Sequence, residues 1–257
     1  MHITLYLKAI DKDFIRVPRA NLHLFQSLIY NVLPSEQAAF LHDEDYVVKG
    51  KHLKLFAMSW PISEKSPEFE ERAIKFSSPV KIVISTPNLE VTGGITSNIL
   101  SRERLRIGNN AVICSRVEAE QQTVTKNFMT VKTLSPVTCY SKTERNGKPY
   151  AQYYDPDSQE FEDLIYKNLL LKFQALTPEK TPPTEKVKVI PIGDLYERLS
   201  RFSEKAPFPI IGWYGNFRLE GPKELLQIAL DTGIGAKNSG GWGCITKNEE
   251  LGVRSEE

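Results

Sequence analysis

The stretch Pro222-Lys-Glu-Leu-Leu-Gln-Ile-Ala-Leu-Asp231, then Gly233-Ile-Gly235-Ala-Lys237-Asn238-Ser239-Gly240-Gly241-Trp242-Gly243, then Cys244-Ile-Thr-Lys247, orders the C-terminal part of this 257-residue chain. Its first ten residues predict a short helix, with Pro222 in the first turn and Gly233 just past the end. Five of the next eleven residues are glycine. The run from Cys244 predicts a strand. The order is therefore helix, glycine loop, strand. A Walker loop and a dinucleotide fingerprint both need strand, loop, helix. The first also ends in Gly-Lys-Ser/Thr, which is missing here, and the second needs glycine where Asn238 stands. Glycine admits positive φ and close approach of another molecule to the backbone. Exposed amides in such a loop form concavities that attract phosphate oxygens. With Lys237, Asn238 and Trp242 in the run, the expected ligand is a phosphorylated partner rather than a nucleotide to be hydrolysed.

Working outward, Val187–Ile192 and Gly212–Leu219 read as strands before the 222–231 helix. Phe161–Leu176 reads as a helix, with Leu164, Ile165, Leu169, Phe173 and Leu176 on one face. Phe128–Val137 and Tyr150–Tyr154 read as strands around the polar turn Arg145-Asn-Gly-Lys148. In the first half, Ile3, Leu5 and Leu7 alternate with polar neighbours, as in a strand with one buried face. Arg19–Leu33 reads as a helix stopped by Pro34. Leu22, Phe25, Ile29, Val32 and Leu33 form its apolar stripe, and His23 and Tyr30 share a line off that stripe. A short helix from Glu36 to Leu41 follows, capped by Ser35. Lys54–Trp60 and Val80–Ser85 read as strands, Asn88–Arg102 as a helix weakened by Gly93-Gly94, and Arg104–Ile107 with Ala111–Glu118 as a hairpin about Gly108. Each half thus interleaves strands with two helices. The expected fold is α+β, two tandem ferredoxin-like β-α-β-β-α-β units, residues 1–126 and 127–257.

A hydrophobic share of 40%, a charged share of 25% and a net charge of +1 are those of an ordinary globular protein. Charge is uneven: residues 101–150 hold nine Lys/Arg against four Asp/Glu. Cys114, Cys139 and Cys244 form no CxxC and no metal-ligand spacing, so no metal or other cofactor is expected. Neither a signal peptide nor a membrane span is legible. The expectation is a cytoplasmic protein, monomer or homodimer, with no membrane partner.

The glycines around Lys237-Asn-Ser239, the series Leu28-Ile-Tyr30-Asn, Phe40-Leu-His42 and Lys54-Leu-Phe56, and Lys132-Thr-Leu-Ser-Pro136-Val together resemble the CRISPR-associated endoribonucleases that cut precursor CRISPR RNA within its repeats. These belong to the repeat-associated mysterious protein superfamily, whose members carry tandem ferredoxin-like domains and a C-terminal glycine-rich loop. Where that loop usually has phenylalanine between its last glycines, this chain has Trp242. The resemblance implies metal-independent cleavage: the 2′-hydroxyl attacks the adjacent phosphate and leaves a 2′,3′-cyclic phosphate and a 5′-hydroxyl. It implies precursor CRISPR RNA repeats as partner, and interference-complex subunits as further candidates. A non-catalytic repeat RNA-binding subunit is the alternative within the superfamily.

Carried over residue by residue, Tyr30, His42 and Lys54 are the implied catalytic set. His42 suits proton transfer because imidazole titrates near neutrality; sequence leaves open whether it is acid or base. Tyr30 would orient the ribose or share in proton transfer, and Lys54 would stabilise charge on the pentavalent phosphate. Twelve residues separate His42 from Lys54, and Lys49, Lys51 and His52 lie between as substitutes; His23 is a further competitor. The implied RNA contacts are Gly233, Gly235, Lys237, Asn238, Ser239, Gly241 and Gly243 of the loop. Arg102, Arg104, Arg106, Lys142, Arg145 and Lys148 would hold phosphates.

Overall fold

The computed structural model describes residues 1–39, 46–145 and 147–248. In the first half, strand His2–Ala9 pairs antiparallel with Val80–Ser85 on one side and Asn110–Glu120 on the other. Ile3, Leu5 and Leu7 are fully buried, as the alternation requires. Leu105–Ile107 extends the sheet beyond Asn110–Glu120, and Ala57–Met58 and Ile62–Ser63 pair with Val80–Ser85. Helix α1, Leu22–Val32, buries Leu22, Phe25, Leu28, Ile29 and Val32. A short helix α2, Ser35–Ala39, follows. Helix α3, Leu89–Ser101, is capped by Asn88, whose side chain accepts from the Glu90 and Val91 amides. Such a cap contributes about 1 kcal/mol.

The second half repeats the scheme. Its sheet order is Lys188–Ser200, Ile210–Glu220, Phe128–Thr133, Ile245–Lys247. Helix α4, Gln159–Leu176, follows the hairpin Tyr140–Arg145/Lys148–Tyr153, and helix α5, Lys223–Thr232, precedes the glycine loop. In each sheet the first strand of the unit lies inside, flanked by the third and fourth, with the second at an edge. That order is the ferredoxin-like arrangement, and it makes the fold α+β. Each sheet has its own apolar core. A third cluster, Leu22, Ile210 and Trp242 with Trp60, Tyr153 and Phe202 against it, joins the two units. Among the described residues no helix is long and apolar enough to cross a membrane.

Several elements depart from the sequence reading. The Lys54–Trp60 strand shrinks to Ala57–Met58, because Phe56 turns back onto Lys54 O and Trp60 N bonds to Leu134 O. The Phe128–Val137 strand stops at Thr133, where Leu134 and Ser135 donate to Cys244 O instead. The Val187–Ile192 strand runs on to Ser200, and Tyr140–Arg145 is an unexpected partner for Lys148–Tyr153. A small sheet, Phe14–Pro18, Ala73–Ser77 and Glu68–Phe69, had no signal strong enough to be read.

Candidate nucleic-acid interface

The glycine loop is a packed element, which corrects the expectation of an open rim of amides. The amides of Ile234, Ala236, Gly240, Gly241 and Gly243 all donate to internal carbonyls. Glycine is required here by close approach. A Cβ on Gly243, at φ 68°, would lie 1.8 Å from Ile234 O, and one on Gly235, at φ 72°, 2.5 Å from Thr138 O. Gly233, Gly241 and Gly243 are buried and are not among the residues that line the cleft beside the loop. Trp242 is 1% exposed and anchors the loop in the junction cluster.

Asn238 is the clasp. Its Nδ2 donates to Ile234 O at 2.9 Å and to Trp242 O at 3.0 Å, closing the loop on itself. Its Oδ1 accepts from Lys172 Nζ at 2.8 Å. The first unit also grips the loop: Trp60 Nε1 donates to Gly241 O at 2.7 Å and Gln26 Nε2 to Ser239 O at 2.9 Å. Lys237 stays exposed on left-handed backbone, φ 62°, where a residue with a Cβ costs about 1–2 kcal/mol. Its ammonium lies 5.6 Å from the centre of the Tyr140 ring.

A cleft of about 740 Å³ opens beside this segment. The first unit contributes Lys51, His52, Leu53 and Lys54. The hairpin of the second contributes Cys139 to Lys142, and α4 contributes Leu164, Lys167, Asn168, Leu171 and Lys172. The loop contributes Gly235 to Ser239. Among the described residues six lysines and a histidine line it, and no carboxylate does. A phosphate 4 Å from one such ammonium gains about 1 kcal/mol in water and about 4 kcal/mol at an effective dielectric near 20. Burial pushes the Cys139 thiol far above its ordinary range, so the cleft offers no thiolate. Among the described residues no three of His, Cys, Asp and Glu gather as metal ligands would.

Lys54 Nζ donates to Tyr30 Oη at 3.3 Å and lies 5.5 Å from the centre of the Tyr30 ring. The structure thus brings Tyr30, Lys54, Lys142, Gly235, Lys237, Asn238 and Ser239 to one region. His42 lies outside the described residues. His52 lines the cleft, exposed on the strand Lys51–Leu53, which pairs with Tyr46–Val48 across the turn at Lys49 and Gly50. His23 is elsewhere, with Nδ1 3.2 Å from Phe202 O. Arg102, Arg104 and Arg106 are exposed but do not line the cleft. Arg145 is placed by its backbone alone, paired with Lys148 at the hairpin tip.

Sequence reasoning passed over Lys167, Asn168, Lys172 and Tyr140. For Lys172 there was a signal: it falls three residues after Leu169 and seven after Ile165, inside the apolar face of α4. Burial lowers its pKa to about 7.

Residues 118–247 match the family model described as CRISPR associated protein Cas6, C-terminal. The chain is 28% identical over 241 residues to the CRISPR-associated endoribonuclease Cas6 of Pyrococcus furiosus, covering 91% of this chain and 85% of that one. It is 24% identical over 258 residues to the CRISPR-associated endoribonuclease Cas6 1 of Methanocaldococcus jannaschii, covering 95% and 92%. A solved structure of a Cas6-related gene product from Pyrococcus furiosus superposes with a TM-score of 0.82 at 21% identity, over 97% of this chain and 99% of that one.

Proposed function

The chain belongs to the Cas6 family, and we propose that it is an endoribonuclease that cuts precursor CRISPR RNA within its repeats, without a metal ion, by 2′-hydroxyl attack. The observation that carries this is the cleft between the two units, walled by lysines with the Tyr30–Lys54 pair at its edge. Residues 1–126 would carry the reacting groups and residues 127–257 the loop that shapes the binding surface.

The reaction needs a proton removed from the 2′-oxygen, a proton delivered to the leaving 5′-oxygen, and positive charge beside the phosphate. Lys54 supplies the charge. It donates to Tyr30 Oη, which holds the tyrosine hydroxyl beside that charge, a placement that suits orientation of the ribose. His42 is the proton-transfer group we favour, and His52, already in the cleft, is its alternative. The 2′-oxygen bonds to phosphorus as the bond to the 5′-oxygen breaks, so the products are a 2′,3′-cyclic phosphate and a 5′-hydroxyl. We place the protein in the cytoplasm, as monomer or homodimer, with interference-complex subunits as further partners.

The test is cleavage of a repeat-containing transcript in excess EDTA, with mapping of both new ends. One cut with a cyclic phosphate is expected. A divalent-metal requirement or a 3′-hydroxyl end would overturn the mechanism. His42→Ala should lower the rate at least 100-fold with binding retained; an unchanged rate moves the assignment to His52. Tight binding with no product would make the chain a non-catalytic repeat RNA-binding subunit.

A further inference from the structure

Lys172 sits 3% exposed on α4, in line with Phe161, Ile165 and Leu169. Three acceptors converge on its Nζ: Thr232 O at 3.1 Å, Gly233 O at 2.8 Å and Asn238 Oδ1 at 2.8 Å. An ammonium has three N–H donors and a neutral amine two, so only the charged form satisfies the full set. All three acceptors are neutral.

Among the described residues that line the cleft, none adds a compensating charge. From α4 itself comes Lys167. The hairpin contributes Cys139, Tyr140 and Lys142, the first unit Lys51, His52 and Lys54, and the loop Lys237. On α5, Asp231 is engaged by the Met1 amine at 2.5 Å and by Gln227 at 2.8 Å. A buried amine in such a place gives up its proton readily. The described lining brings no negative charge to the site, and the cleft that Lys172 and Asn238 both line is open to a polyanion.

We propose that Lys172 is a positioning residue: with RNA phosphate in the cleft its amine is an ammonium that fixes the glycine loop through Thr232, Gly233 and Asn238. The assignment rests on the cleft being the RNA site. Occupancy and loop order are then linked through one proton. Asn238 transmits the effect, since the same side chain that accepts from Lys172 closes the loop onto Ile234 and Trp242. RNA raises the midpoint of Lys172 from about 7 in the free protein. Affinity is therefore full below pH 7 and declines as pH rises between the free and bound midpoints, by up to about tenfold per pH unit.

The experiment measures the dissociation constant of the full chain for a 2′-deoxy-substituted, uncleavable oligonucleotide of the repeat from the same genome, at pH 6 to 9. Wild type should weaken steadily above pH 7. Lys172→Met, checked for folding by thermal melting, should bind more weakly at pH 7 and show a flat profile from 7.5 to 9. Should that variant not fold, lysine Cε NMR of the wild type reads the same quantity. One lysine should titrate near pH 7 in the free protein and at least one pH unit higher with the oligonucleotide bound. Tight binding with parallel profiles in both proteins, or a lysine midpoint that RNA leaves unmoved, refutes the assignment of Lys172 and spares the RNA-binding reading. No binding by the wild type even at pH 6 sinks both.

Discussion

The two units differ sharply at one shared position, the connection from the last long helix to the last strand. In the first unit, α3 passes to Asn110–Glu120 through Arg102–Asn109, with Arg102, Arg104 and Arg106 exposed on an edge hairpin. In the second, α5 passes to Ile245–Lys247 through Gly233–Cys244, and most of that loop is buried. One connection turns Arg102, Arg104 and Arg106 to solvent while Leu105 and Ile107 between them face the core. The other is filled by its own backbone and by side chains from both units. Glycine content therefore does not report mobility here. It reports how closely carbonyls and neighbouring chains approach, at Ile234, Thr138 and Ala57.

Substitution should separate the two connections sharply. Gly243→Ala places a methyl against Ile234 O on left-handed backbone. It should cost about 3–5 kcal/mol, read as the largest fall in thermal or denaturant midpoint. A loss under about 1 kcal/mol would mean that the loop relaxes and is not the rigid partner of the comparison. Asn238→Ala strips one of three acceptors from a buried lysine and the donors from two carbonyls. A destabilisation of roughly 2–3 kcal/mol is expected, with RNA affinity falling in parallel. Arg102→Ala and Arg104→Ala should each change stability by less than about 0.5 kcal/mol. If the arginine connection also touches RNA, each reduces the slope of log affinity against log salt by about 1. An unchanged slope confines binding to the cleft.

The periodic elements were legible. Val80–Ser85 agrees residue for residue, and α3 and α5 agree to within one residue at each end. Their patterns are local, since a buried face recurs every two residues or about every 3.6. Elements whose ends are set by distant partners were misread. Thr133 ends its strand because Cys244, far along the chain, accepts from Leu134 and Ser135. The candidate site was half legible. Tyr30 and Lys54 were implied by the family resemblance and Lys237 stood out in the glycine-rich run, and the structure gathers them about one cleft. Lys167 and Tyr140 carried no pattern, because what places them there is the packing of α4 and the hairpin against the other unit. Lys172 did break a pattern, as a lysine on an apolar face. Its meaning needed the loop carbonyls that only the folded chain brings to it.

The indole of Trp60 and the amide of Gln26, both from the first unit, end on carbonyls of the second unit's loop. Neither half, expressed alone, would present that loop as it stands in the whole chain. A chimera that exchanges halves with a relative must transfer Trp60 and Gln26 together with the backbone they clasp, or the graft will inherit a loop with two hands missing.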